Sequence, residues 1–291
     1  GSIVSADGQS KYQILESIPR FVDSGSYAES FGHEWHYFQK TQLDSFTGTK
    51  ISSDRWSDIT GYSPKDMKGK VVLEAGCGAG RFLEVVAPFA EKLIGMDITK
   101  AVDVAHKNLN IKYPNVHFLQ ADLNNHPIKK DSIDFAYSIG VLHHIPDTLK
   151  GIKNLLTCVK PGGELAVWLY GPEGVGASIR NFYRSIGSRT EPERLFKFLK
   201  KYVPFALKTH NIPIIGKILK WTILPAPSYP DIPIPDDLRL EWSILDAFDG
   251  YATKIVRSYS EEELRKILIE AGLINIKRGN VYNSFIGQKP T

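Results

Sequence analysis

The sequence predicts an α/β fold: a mostly parallel seven-stranded sheet with helices on both faces and a helical insertion after the fifth strand. Three observations carry this expectation. From Lys68 onward, short apolar runs alternate with stretches of helical periodicity, the rhythm of strand–helix–strand units with right-handed crossovers. The apolar run "VVLEA" breaks into glycines at alternate positions, Gly76, Gly78 and Gly80, before a helical pattern begins. The alternation then stops at residue 172 and resumes only near Ser258.

Residues 1–67 mix aromatic and polar side chains and contain "YAESFGHEWHYFQKTQLDS", read as one or two helices ahead of the first strong strand. "KVVLEAG" is that strand and "RFLEVVAPFA" the helix after it, with Phe82, Val85, Val86 and Phe89 on one face. "KLIGMDI", "VHFLQADL" and "IDFAYSIG" are the next three strands, with "KAVDVAHKNLN" as a helix between the first two of them. "DTLKGIKNLLTCVK" is a helix with Asp147 as its N-cap and Leu149, Ile152, Leu155, Leu156 and Val159 on one face. Pro161-Gly162-Gly163 makes a turn and "ELAVWLYG" is the fifth strand. "SYSEEELRKILIEAGL" opens on a capping box, Ser260 with Glu263, and the strand-like "INIKRGNVY" and "SFIGQKP" follow. The expected division is an N-terminal helical segment covering the site (1–67), a core (68–171), a helical lid (172–256), and a last helix with a strand pair completing the core (257–291).

With 291 residues and 42% hydrophobic content, the chain can bury the core of one large domain with an insertion. A formal charge of +4 does not by itself imply nucleic acid. Cys77 and Cys158 match no zinc or redox spacing and suit a reducing compartment, so a cytoplasmic protein is expected. No signal peptide is visible, and no apolar run reaches the ~18–20 residues of a membrane span. The nearest, "NIPIIGKILKWTILPAP", is interrupted by Lys217 and Lys220. Gly1-Ser2 reads as a cloning remnant, which places the natural start further upstream.

The glycines let a backbone approach a ligand, with a helix N-terminus just beyond. Asp97 ends the second strand, where an acid can accept hydrogen bonds from both hydroxyls of a ribose. Asp122 ends the third, where a carboxylate can take the exocyclic amine of adenine. Three strand ends thus converge on an adenosine, which fits either a nicotinamide dinucleotide or S-adenosylmethionine. The pyrophosphate fingerprint is G-x-G-x-x-G, whereas here the spacing is Gly76-x-Gly78-x-Gly80, preceded by Glu74. An acid there would repel a pyrophosphate and attract a sulfonium and an ammonium group.

"VLEAGCGAGR", "LIGMDIT", "QADL", "YSIGVLHHIPD" and "VKPGGELAVWLYG", in this order and spacing, resemble the motif series of class I S-adenosylmethionine-dependent methyltransferases, a Rossmann-like family. The resemblance covers residues 68–170 strongly and extends to the closing helix and strands. It implies S-adenosyl-L-methionine as cofactor, with Gly76, Cys77 and Gly78 along the methionine part. Asp97 and Ile98 would then hold the ribose, Asp122 and Leu123 the adenine, and Ser138 would offer backbone to the amino group. The flanks "YAESFGHEWHYFQKTQLDS" and "ILDAFDGYATKIVRSYSEEEL" resemble a bacterial and archaeal branch often attributed to glycan or secondary-metabolite pathways. "YQILESIPRFV" resembles the tail of a small zinc-ribbon module that precedes the domain in that branch.

On the acceptor side, His143 and His144 follow the fourth strand. Either one packs under the cofactor while the other caps a helix, or they serve the acceptor, with His144 as general base and His143 lining the cofactor or pocket. The metal-binding relatives' E-x-x-E-H motif aligns here with Gly140-Val141-Leu142-His143-His144, which lacks both glutamates, so no metal is expected. His33, His36 and Tyr170 are further candidates for substrate binding. Asp246 and Asp249, in "LDAFDGY", are either a solvated loop pair or polar hooks for a hydroxylated substrate. Residues 172–221 hold ten Lys and Arg against Glu173, Glu191 and Glu193, a local formal charge of +7. This is either the solvated face of a lid or an attraction to an anionic acceptor or membrane surface at the inner membrane face. The expectation is an O-methyltransferase acting on a small-molecule or glycan-type acceptor. The rival readings are an RNA methyltransferase, although no recognisable RNA-binding module accompanies the basic stretch, and a non-catalytic S-adenosylmethionine-binding subunit.

Overall fold

The computed structural model describes residues 1–5, 7–22, 34–35, 37–172, 174, 177–210, 212–214, 216, 218–219 and 225–291. Three strands lead the chain: β1 (Ser2–Val4), β2 (Lys11–Leu15) and β3 (Ile18–Phe21). Helices α1 (Asp44–Thr47) and α2 (Ile51–Thr60) precede the alternating core. The core runs β4 (Val71–Ala75), α3 (Arg81–Val86), β5 (Lys92–Asp97), α4 (Ala101–Leu109), β6 (Val116–Ala121), β7 (Ile133–Ile139), α5 (Thr148–Cys158) and β8 (Val159–Trp168). The insertion supplies α6 (Ala177–Gly187), α7 (Pro192–His210) and α8 (Asp236–Ala252). Helix α9 (Glu261–Glu270), β9 (Ile274–Arg278) and β10 (Ser284–Gln288) close the chain.

All strands join one ten-stranded sheet in the order β1-β2-β3-β6-β5-β4-β7-β8-β10-β9. The stretch from β3 to β8 is parallel and both ends are antiparallel. The parallel centre is apolar on both faces because helices cover both. In β4, Val72 enters the core that holds Trp56, Leu83 and Leu93, and Leu73 enters the one that holds Leu155, Leu165 and Leu268. Strand periodicity alone sends successive residues to opposite sides.

The α/β class is as expected; the strand count is ten rather than seven. The difference lies in residues 1–21, expected within a helical segment. "KYQIL" has a period of two, alternating exposed and half-buried. Glu16 and Ser17, with φ of 51° and 66°, form the two-residue turn to β3, the backbone that a right-twisted hairpin prefers. Strand β3 then pairs parallel with β6, Arg20 opposite Gln120. Arg20 donates to Gln120 Oε1 (3.2 Å) and pairs with Asp103 on α4, tying the hairpin to the core.

Asp147 caps α5 as expected, accepting from the Lys150 amide (3.0 Å). The helix stops at Cys158, so Val159 opens β8 rather than extending the apolar helix face. Pairing with β7 jumps from Ile133–Val159 to Phe135–Glu164, so Pro161-Gly162-Gly163 bulges out within the strand. Ser260 and Glu263 form the expected capping box. The insertion has its own core, with Leu199, Val203, Phe248 and Tyr251 packed around Phe38. Asp246 and Asp249 therefore sit on α8, not in a loop. Among the described residues no helix is long and apolar enough to cross a membrane.

Candidate active site

Strand order runs outward in opposite directions from β4 and β7, and open α/β sheets bind ligands outside the carboxyl ends of strands at such a switch point. A cavity of about 1060 Å³ lies there, walled by residues following β4, β5, β7 and β8 and roofed by α6 and α8. Small-molecule pockets span ~300–1,000 Å³, so this one has room for an acceptor beside a nucleoside-sized molecule.

The glycine loop forms its floor. The Gly76 amide donates to Met96 O (2.7 Å), pinning the turn to β5. Gly76 has φ +84°, and a Cβ there would lie 2.3 Å from Val141 Cγ2. Gly76→Ala therefore meets both backbone strain and a clash, and is expected to abolish cofactor binding measured by calorimetry while circular dichroism still reports an α/β protein. Gly78, with φ +50°, lies under Trp35, whose ring would be 3.0 Å from a Cβ there. Gly80 is not on the wall; it starts α3, backed by Leu109.

The Gly78 amide donates to Asp97 Oδ2 (2.9 Å), and the Thr99 amide and hydroxyl donate to Oδ1 (2.9 and 2.8 Å). A carboxylate has about four acceptor positions, so Oδ2 keeps one for a ligand. Burial pushes the Asp97 carboxyl up, and these hydrogen bonds oppose that. Glu74 is buried, accepts from the Tyr137 hydroxyl (3.1 Å), and has its carboxyl pushed well up by burial. A cation in the cavity would draw it back toward the ionised form. Burial raises the Cys77 thiol well above its usual range, so it packs as a neutral group.

Ile98 and Leu123 lie on the wall. Asp122 does not: its Oδ1 accepts from the Asn124 amide and side chain (2.8 and 3.2 Å), a local turn that takes up one of its two carboxylate oxygens. Ser138 is buried one residue short of the wall and donates to Ala75 O (2.9 Å). His33 and His36 fall outside the described residues.

At the acceptor end the two adjacent histidines part company. His143 is fully buried off the cavity wall, its ring between His144 and Tyr170 at 4.0 and 3.8 Å. Among the described residues neither ring nitrogen has a hydrogen-bond partner, and burial holds its pKa well below the usual value. It is therefore a neutral packing side chain here, not a lining one. His144 is on the wall, with Nδ1 2.8 Å from Ile255 O. A carbonyl oxygen only accepts, so Nδ1 carries the proton and Nε2 the lone pair. Burial lowers the His144 pKa, which keeps the ring neutral at physiological pH.

Tyr170 donates to Asp249 Oδ2 (3.0 Å), and Tyr229 donates to Asp246 Oδ2. All four line the cavity. Burial pushes Asp246 up to about 6, with Asp249 adding and Tyr229 and Arg81 opposing. A folded-state pKa above the unfolded value favours the folded state in acid, and this contribution is lost as pH rises from about 4 through about 6. Asp246→Asn is expected to stabilise the protein above pH 6 by up to roughly 3 kcal/mol. The advantage should vanish near pH 4, read from thermal melts across that range.

Several wall residues escape a reading of motifs. Glu34 is buried with its carboxyl pushed well up, by burial first and then by Asp249 and Asp246. Arg81 donates to Ser52 Oγ (3.0 Å) and lies 5.3 Å from the Trp242 ring; burial lowers its pKa to about 10. A cation in the first turn of a helix opposes the macrodipole, and that anomaly was visible in the sequence. Arg55, Arg180 and Arg184 also reach the wall, but nothing local distinguishes them from surface arginines. Among the described residues no group of three or more His, Cys, Asp or Glu could hold a metal.

S-adenosylmethionine, a nucleoside bearing a sulfonium and an ammonium group, fits this set. The glycine floor carries no side chains of its own, Glu74 and Asp97 accept hydrogen bonds when ionised, and Met96, Ile98 and Leu123 are apolar. Comparison with known proteins agrees. Residues 73–167 match a methyltransferase domain family. A ubiquinone biosynthesis O-methyltransferase of Coxiella burnetii is 31% identical over 100 residues, 34% of this chain and 43% of the relative. A tRNA (carboxymethyluridine(34)-5-O)-methyltransferase of Saccharomyces cerevisiae is 27% identical over 134 residues, 45% of this chain and 46% of the relative. The match thus spans less than half the length of either relative. Among solved structures, a chain in the complex of the Trm112 methyltransferase activator with a methyltransferase from Haloferax volcanii is 13% identical. It aligns over 90% of this chain and 98% of that one with a TM-score of 0.51, a likeness of fold.

Over residues 73–167 the fold, the site and the family match define a class I methyltransferase domain. Its cofactor is S-adenosyl-L-methionine.

Proposed function

We propose that the protein methylates a hydroxyl group of a small polar or glycan-type acceptor bound between the cofactor floor and the α6–α8 roof, with His144 as general base. The observation that carries this reading is the tautomer of His144. Its Nδ1–H donates to Ile255 O, which makes Nε2 the basic nitrogen of a ring that lines the cavity. When bound, S-adenosylmethionine supplies an electrophilic methyl group with a neutral leaving group. Glu74 would balance its positive charge, the glycine floor and Asp97 would hold it, and Ile98 and Leu123 would flank it. The lid excludes water and holds the acceptor; alignment of this kind is worth ~7–11 kcal/mol in the best cases. A hydroxyl is a poor nucleophile, so a neutral imidazole that takes its proton adds to that. The Tyr170–Asp249 and Tyr229–Asp246 pairs and Glu34 offer hydrogen bonds to a hydroxylated acceptor, and Arg180 and Arg184 suit an anionic one.

The experiment is transfer from methyl-labelled S-adenosylmethionine in a cell extract fractionated into small molecules, glycans and RNA. Label in an alkali-stable methyl ether of a small or glycan fraction is expected. Label confined to RNA would replace this reading with the tRNA chemistry named for the yeast relative. No transfer, with tight cofactor binding, would leave a binding subunit.

A further inference from the structure

The outer side of the lid has a composition that neither the fold nor the cavity requires. On α7, Leu195, Leu199, Val203 and Ala206 are buried, the expected inward stripe. The opposite stripe, at spacings of three, four and seven, reads Arg194, Lys197, Phe198, Lys201, Phe205 and Lys208. Phe198 and Phe205 are 49% and 59% exposed. On α6, Phe182 and Ile186 are exposed at 56% and 53%, one turn apart.

Both helices pack against α8. Phe182 contacts Tyr183 (5.9 Å), Tyr183 contacts Tyr202 (5.7 Å), and Tyr202 stacks on Phe198 (5.3 Å). These rings link α6 to α7 through the lid core, where Tyr202 is buried, and end at exposed Phe182 and Phe198. Glu191 and Glu193 pair with Arg194 and Lys197, while Lys201 and Lys208 make no ion pair among the described residues.

We infer that α6 and α7 form a docking surface for an anionic lipid bilayer. A protein partner fits less well, because interface centres are depleted in lysine and here lysines interleave with the apolar residues. Helices that lie in a bilayer interface have this composition: aromatic and aliphatic side chains for the acyl boundary, Lys and Arg for the headgroups. Long lysine stems cover apolar surface while the ammonium reaches outward. RNA fits less well too, since Ile186 and the exposed Ile214 offer no ring for a base to stack on. Arg180 and Arg184 lie on α6 two residues out of step with Phe182 and Ile186, roughly opposite them, and face the cavity. Docking through α6 and α7 would bring the roof of the site to the lipid surface. The inference concerns binding alone and stands whichever acceptor is methylated.

The test is co-sedimentation of the full chain with vesicles of phosphatidylcholine alone and of phosphatidylcholine mixed with phosphatidylglycerol. Binding is expected only to the mixed vesicles, weakening as salt is added. A Phe198→Ser, Phe205→Ser double variant and a Lys201→Glu, Lys208→Glu double variant are each expected to lose about ten-fold or more of it. Both should keep the thermal midpoint and S-adenosylmethionine affinity, which separates lost docking from lost folding. Equal binding to both vesicle types, no binding, or undiminished binding by the variants overturns the inference. So does a lipid-free dimer that the phenylalanine variant splits, or tighter binding to single-stranded RNA that both variants lose.

Discussion

Replacing His144 with Ala is expected to lower kcat by ~10²–10⁴, the usual cost of removing a positioned base, with S-adenosylmethionine affinity unchanged. The expectation rests on place and protonation together. His144 is on the cavity wall, hydrogen-bonded through Nδ1 to Ile255 O, and its pKa is lowered by burial despite the opposing field of Asp249. The ring is therefore the base form at physiological pH. The rate of the unmutated protein should hold at neutral pH and fall only in acid, below the ordinary histidine range of ~6.5. The Ala variant should lose that acid limb. His143→Ala serves as contrast: it removes a buried ring that touches Tyr170 and His144, so it should lower the thermal midpoint without erasing the limb. If His144→Ala keeps more than about a tenth of the rate, catalysis is by alignment alone or the base is another group. Asp246→Ala, assayed alongside, tests the next candidate.

Asp97→Ala is expected to weaken S-adenosylmethionine at least ten-fold. A hydrogen bond to a charged acceptor contributes ~1.5–3 kcal/mol, and ~1.4 kcal/mol is a factor of ten. Oδ2 has one acceptor position left for a ribose hydroxyl after the Gly78 amide takes the other. That falls short of the two ribose bonds a strand-terminal acid suggests. The substitution has a second effect, because it leaves the Gly78 amide and the Thr99 hydroxyl without their partner and loosens the floor itself. Calorimetry with S-adenosylmethionine, S-adenosylhomocysteine and NAD reads both. Undiminished affinity in Asp97→Ala would put the ribose elsewhere, and tight binding of NAD alone would overturn the cofactor.

The two aspartates at the strand ends show how far a motif reaches. Asp97 and Asp122 look equivalent in the chain, each closing an apolar strand. Asp97 lies on the cavity wall, whereas Asp122 lies off it and gives one carboxylate oxygen to Asn124 two residues on. Local turn chemistry competes for short acidic side chains, and spacing does not reveal which use wins. The lid aspartates went the other way: their polar, glycine-containing stretch resembles a loop, but Trp242, Leu245 and Phe248 pack as a helix face and carry Asp246 and Asp249 with them into the cavity.

The sequence by itself determined the parallel core, the glycine floor and the cofactor class. Each depends on short-range physics: a period of two or of about 3.6, a backbone that only glycine tolerates, an acid where a pyrophosphate would be repelled. Tertiary structure alone decided which of the neighbouring histidines meets the cavity. It also decided which carboxyls lose their charge, and that residues 1–21 extend the sheet. His144 is oriented by a carbonyl 111 residues away, β3 is completed by β6 about a hundred residues downstream, and Asp246 is raised to about 6 by the burial that packing imposes. Burial and partnership between distant segments exist only once the chain has closed on itself, so no local pattern encodes them.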